Sequence, residues 1–285
     1  MKPRTLLLSA VALGLGAIYS AARPTDETLT VVVMDPLAAP LSCPCVKGYA
    51  QRDYEKLGKF IAEKIGRPVK VHFSETLTAA LQKKTDGKVD LVIGKDSVVK
   101  AEAQRNKVGV TYVAALTGKD GLTTQTGLVV VAGTDPALTV ESLKGYRIVF
   151  GPADAEEKHG AALALFKDLG VPVPAKLDTC VSCTDGATQV IDRFKQGEKV
   201  ATVISSYAQP LLEGCGTIKK GDLKVVGETD PVPFVTAYVS DRVSTSDRAA
   251  ITAALLAAGR DAALRTALES KAGFVSAATP AAKKN

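Results

Sequence analysis

Thr139-Val140-Glu141-Ser142-Leu143-Lys144-Gly145 runs directly into Tyr146-Arg147-Ile148-Val149-Phe150-Gly151. The first half reads as a short helix closed by Gly145, the second as a strand over Arg147 to Phe150 that ends at Gly151. A short helix passing at once into an apolar strand is the repeating unit of an α/β sheet. Working outward toward the N-terminus, Gly127 to Gly133 and Val110 to Leu116 read as strands. Between them lies a polar stretch, Thr117 to Thr126. Further upstream, Leu29 to Met34 is a continuous apolar strand, and Tyr54, Leu57, Phe60, Ile61 and Ile65 fall on one face of a helix over Tyr49 to Ile65 that Gly66-Arg67-Pro68 stops. Val69 to Phe73 and Val89 to Gly94 are strands on either side of a short helix, Leu77 to Lys83. Toward the C-terminus, helices are expected at His159 to Leu169 and Thr188 to Lys195, and strands at Val200 to Ser205, Lys224 to Val226 and Phe234 to Val239. An Ala-rich helical region, Thr245 to Ser270, breaks near Gly259. The alternation predicts an α/β fold with mostly parallel sheets. Two stretches, Thr117 to Thr126 and Thr229 to Pro233, are read as crossings between two lobes.

The first residues carry Lys2 and Arg4, then an apolar run from Leu6 to Ile18 and the small residues Ser20-Ala21-Ala22. That run is shorter than the ~20 residues a membrane-spanning helix needs, so residues 1–22 read as a secretory signal and the chain as periplasmic. Without them the formal charge of +6 becomes +4, because residues 1–22 hold two basic and no acidic side chains. No basic block and no Trp accompany that charge, which argues against a nucleic-acid partner. No GxSxG, HExxH or GxxxxGK[ST] run occurs, so hydrolase and nucleotidase chemistry lacks a sequence basis and no catalytic residue is assigned. The cysteine count is five, an odd number that leaves at least one thiol unpaired within an exported chain.

The run from Thr139 to Gly151 is similar to the S-L-x-D-L-K-G-K-x-V-A-F-G signature of the phosphate/phosphite/phosphonate substrate-binding family of ABC importers. Gly66-Arg67-Pro68-Val69, Lys88 to Gly94, and Asp185-Gly186-Ala187 followed by Gln196 to Val203 carry the same resemblance. The resemblance implies a two-lobed type 2 periplasmic binding fold with a ligand cleft between lobes and two hinge crossings. Residues 27–120 plus 232–275 would form the first lobe and 121–231 the second, with 276–285 a flexible tail. It implies a monomer that captures a small molecule or ion and is read by an ABC permease or a membrane sensor. The ligand loops would be Asp35 to Tyr49, Lys95 to Ser97, Gly151 to Gly160, Thr184 to Ala187 and Ser205 to Tyr207. Candidate ligand contacts in them are Cys43, Cys45, Tyr49, Asp154, Glu156, His159, Asp185 and Tyr207.

The chain departs from the family at two of these loops. Asp154, Glu156 and Glu157 bring carboxylates where small hydroxyl residues are expected, and they would repel a phosphonate-like oxyanion. Ser42-Cys43-Pro44-Cys45 and Cys180-Val181-Ser182-Cys183 place paired thiols beside the expected cleft. Cys43, Cys45, Cys180 and Cys183 with His159 could hold a soft metal, copper or zinc, or a thiophilic metalloid. The same cysteines could equally be disulfide staples, or serve a thiol redox or metal-transfer protein. The ligand is therefore expected to be an oxyanion or a thiophilic ion.

Overall fold

The computed structural model describes residues 27–42 and 50–276. The expected signal segment, Cys43, Cys45, Tyr49 and the tail from residue 277 lie outside the described residues. Among the described residues no helix is long and apolar enough to cross a membrane.

Two sheets are built. Strands β1 (Leu29–Met34), β2 (Val69–Phe73), β3 (Leu91–Lys95) and β4 (Val110–Leu116) join β12 (Val235–Ser240) and β13 (Phe274–Val275) in the order β13-β4-β12-β3-β1-β2. The second sheet holds β6 (Gly127–Ala132), β7 (Arg147–Phe150), β8 (Asp178–Thr179), β9 (Val200–Ser205) and β10 (Leu223–Glu228) in the order β10-β6-β9-β7-β8. A two-stranded ribbon of β5 (Thr124–Gln125) and β11 (Val232–Pro233) joins the two passages of chain between the sheets. The sheets are mixed and not mostly parallel. β1 is parallel to β2 and β3, but β12, which returns after the second passage, runs antiparallel to β3 and β4.

The apolar runs are continuous because both faces of each sheet are covered. In β1, Val31 and Val33 pack with Tyr54, Leu57 and Ile61 of helix α1 (Tyr54–Ile65) and with Ile251 and Leu255 of α7 (Thr245–Ala258). Val32 and Met34 face the other way, toward Leu77 of α2 (Leu77–Lys83) and Val99 of α3 (Asp96–Arg105). In the second lobe Ile148 and Phe150 pack with Phe166 of α4 (Gly160–Asp168), whereas Val149 meets Ala187 and Val190 of α5 (Cys183–Lys195). Helix α6 (Ala208–Gly214) follows β9, and α8 (Ala262–Ala267) follows α7 after the break at Gly259.

Two helix starts differ from the sequence expectation, and α3 and α6 are additional to it. Helix α1 starts at Tyr54, because Asp53 accepts a hydrogen bond from Lys56 N as its cap while Arg52 is held in a bridge to Ala38. Helix α5 starts at Cys183 and not at Thr188, since Ser182 caps it by accepting from Asp185 N. Helix α3, absent from the expectation, begins directly after β3 with Asp96 as its acidic first residue.

Candidate functional site

The lobes meet where the C-terminal ends of their strands face each other, and each contributes charged side chains there. In the first lobe Asp35, just beyond β1, is fully buried. Its Oδ2 accepts from Arg52 Nη1 at 2.8 Å and from Tyr54 Oη at 2.5 Å, and its Oδ1 accepts from Leu37 N at 2.9 Å. Burial opposes the charge on Arg52, and the Asp35 carboxylate beside it more than restores it, so the guanidinium is held above its ordinary value. Burial and the same carboxylate push the Tyr54 phenol up. Arg52 in turn lies 5.2 Å from the ring centre of Phe234, a cation–π contact, and Phe234 stacks on Tyr207 of the second lobe at 5.1 Å.

A second set of contacts crosses between the lobes. Lys95, the last residue of β3, donates to Glu157 Oε1 at 2.5 Å, and both side chains are buried. Ser205, at the end of β9, donates to the same oxygen at 2.6 Å, while Glu157 Oε2 has no partner. Burial works against the Glu157 carboxylate, but the Lys95 charge outweighs it and the carboxyl is held below the usual range. Nearby, Lys158 Nζ, also buried, lies 3.6 Å from Cys183 Sγ, which also accepts from Ser205 N at 3.4 Å. Ser97 ties α3 to the 152–158 loop, its Oγ donating to Asp154 O at 2.7 Å and accepting from Glu156 N at 3.3 Å. Close backbone approach makes this loop possible. A β-carbon on Gly127 would sit 2.0 Å from the Glu157 carbonyl oxygen, a position only glycine leaves free.

Beside these contacts a cavity of about 470 Å³ opens between the lobes at the hinge end. Leu37 and Arg52 line it from the first lobe, Ser206, Tyr207 and Leu211 from the second, and Gln125 and Phe234 from the chain passages between them. Two buried polar atoms of its lining residues, Arg52 Nε and Gln125 Oε1, have no partner. Lys119, at the rim, is paired with Glu269. Burial raises the Tyr207 phenol, whose ring stacks on Phe234 in the cavity wall.

Among the described residues, those expected from the sequence are spread over several contacts. Tyr207 lines the cavity. Asp154 meets Ser97 through its backbone oxygen, and the exposed Glu156 carboxylate lies at the start of α4, where a β-carbon on Gly160 would come within 2.5 Å of it. His159 Nδ1 is 2.9 Å from Gly151 O and its ring packs edge-on to Phe150. Asp185 accepts from Val181 N and Gln189 Nε2 within the first turns of α5. Cys180 is a buried free thiol whose Sγ donates to Phe150 O, and Cys183 and Cys215 are free thiols as well. Among the described residues no disulfide forms and no three His, Cys, Asp or Glu residues gather as a metal set. The carboxylate repulsion expected at this loop is met by Lys95, which neutralises Glu157 from the other lobe. Arg52, Gln125 and Phe234 were not singled out in the sequence. The only signal for Arg52 was a charged residue just ahead of a helix, and for Gln125 nothing beyond its place in a crossing stretch.

A sequence model of the family described as "ABC transporter, phosphonate, periplasmic substrate-binding protein" matches residues 48–282. No curated protein sequence matches the chain. Among solved structures, a binding protein component of an ABC phosphonate transporter from Pseudomonas aeruginosa has a TM-score of 0.64 at 14% identity, covering 88% of this chain and 81% of that one. PhnD1 from Prochlorococcus marinus in complex with methylphosphonate has a TM-score of 0.61 at 12% identity, covering 88% and 93%. A Xanthomonas citri protein bound to ATP has a TM-score of 0.62 at 15% identity, covering 88% and 92%. These likenesses show the two-lobed binding-protein fold. With its fold and cleft in place, the chain belongs to the family of periplasmic substrate-binding proteins of phosphonate ABC transporters.

Proposed function

We propose that the chain captures a singly charged, phosphonate-class oxyanion with a small apolar substituent in the interlobe cavity and hands it to a membrane permease. The observation that carries this reading is the pair of buried, unpartnered atoms among the residues lining that cavity, the donor Arg52 Nε and the acceptor Gln125 Oε1. A buried polar atom without a partner costs about 1–3 kcal/mol, so a ligand that satisfies both recovers it. A phosphonate monoanion presents charged oxygens that accept from Arg52 and one protonated oxygen that donates to Gln125. Its carbon substituent suits the stacked Tyr207–Phe234 wall.

Charge supports the same ligand. Asp35 balances Arg52, Asp96 is balanced by Lys100, and Lys95, Lys158 and Glu157 together leave one positive charge. One negative charge on the solute neutralises it. The test is calorimetric titration of methylphosphonate into the wild-type chain and Gln125→Leu. Loss of one acceptor, about 1 kcal/mol, weakens binding roughly fivefold or more. Equal affinity in the two proteins removes the cavity from the account.

A further inference from the structure

We infer that Glu157 is a built-in anion that sets the charge of the solute this cleft accepts. The inference rests on the reading of the cleft as an oxyanion site, and it adds what restricts that anion to one charge.

The surroundings of Glu157 hold more positive charge and more donors than its carboxylate uses. Lys95 and Ser205 both donate to a single oxygen, Oε1, and Oε2 is left without a partner although the side chain is fully buried. Lys158 is buried alongside, with the Cys183 sulfur at 3.6 Å as the partner of its ammonium group. One ammonium group and one hydroxyl on the carboxylate, drawn from both lobes, with the Lys158 ammonium group buried on the next residue, form an anion site already filled by the chain itself. With the buried Asp96 balanced by Lys100, the three groups Lys95, Lys158 and Glu157 sum to one positive charge. Without Glu157 they sum to two, with a void beside Lys95, Ser205 and Lys158 into which a tetrahedral dianion can be drawn. A dianion entering the native cleft instead finds one positive charge for its two negative ones and keeps one uncompensated where water is scarce.

Sulfate tests this directly, because it is a dianion at every pH used and has no proton to donate. The wild-type chain, titrated with methylphosphonate and with sulfate, is expected to bind methylphosphonate more tightly at pH 6 than at pH 8.5 and to bind sulfate at least tenfold more weakly. In Glu157→Ser, checked for folding by circular dichroism and thermal denaturation, sulfate affinity should rise at least tenfold and the pH dependence for methylphosphonate should flatten. Glu157→Gln keeps the side-chain volume and removes only the charge, so it reads the same selection if the serine variant does not fold. A folded variant that binds sulfate no better than the wild type overturns the role of Glu157, as does a wild-type chain that binds sulfate as tightly as methylphosphonate. Failure of the oxyanion reading itself looks different. In that case methylphosphonate binds neither the wild type nor the variants, whatever sulfate does.

Discussion

Replacing Lys95 by Met removes the one cation that reaches across the lobes to Glu157 and leaves that carboxylate fully buried with the Ser205 hydroxyl on it. Breaking a buried ion pair by deleting one partner costs about 3–5 kcal/mol when the surviving charge stays dry. Here the molecule has a cheaper escape, because the two charges sit on different lobes. Opening at the β5–β11 ribbon returns Glu157 to water without unfolding either core. The closed state is therefore expected to lose about 3 kcal/mol relative to the open one, roughly two orders of magnitude in the equilibrium. Small-angle scattering of the ligand-free variant should show a larger radius of gyration than the wild type, and methylphosphonate affinity should fall by up to about 100-fold, since binding must then close the cleft against that cost. The pH dependence has a fixed sign. In the wild type the Glu157 carboxyl is lowered, so the pair's contribution is fully present above the ordinary carboxylate value and is lost as pH falls through the lowered one. In Lys95→Met burial acts unopposed by that charge and raises the carboxyl, so the defect is largest at neutral pH and shrinks on acidification. An unchanged scattering profile together with unchanged affinity at pH 7 would refute the reasoning.

Asp35→Asn keeps the shape of the buried Asp35–Arg52–Tyr54 contact but strands the guanidinium, and urea denaturation should register a loss of about 3–5 kcal/mol; a loss under 1 kcal/mol would contradict it. Gly127→Ala puts a β-carbon against the Glu157 carbonyl and should cost about 1–3 kcal/mol in the same assay, because the obstacle is backbone and cannot swing aside. Tyr207→Phe keeps the stack on Phe234 and should hold methylphosphonate affinity within a few-fold. Tyr207→Leu loses an aromatic pair worth about 0.5–1.5 kcal/mol and should weaken binding roughly two- to tenfold by calorimetry.

Much of the architecture is legible in the chain because it is local. Continuous apolar runs such as Leu29 to Met34 mark strands covered on both faces, and Gly66 at φ 67° and Ser182 mark helix ends through backbone chemistry that a reader of sequence can apply. The misread start of α5 has a local cause too. Cys180-Val181-Ser182-Cys183 drew attention as a thiol pair, whereas the residue that governs the backbone there is the Ser182 cap between the thiols. Strand direction was less visible, because antiparallel β12 depends on where the chain re-enters the first sheet after more than a hundred intervening residues. The site was the least legible part. Lys95 and Glu157 are separated by 62 positions, and each alone reads as a misplaced charge. Only the juxtaposition of the lobes shows that they neutralise each other, and that Arg52 and Gln125 hold unpartnered atoms beside a common cavity.

Occupancy of this cavity by a solute can be read by native mass spectrometry of the chain isolated from the cells that make it. The wild-type chain should carry one small molecule, of a mass fitting a phosphonate-class oxyanion, that is lost when Gln125→Leu is purified in parallel. A wild-type chain that carries nothing, and whose mass is unchanged after incubation with methylphosphonate, would contradict that occupancy.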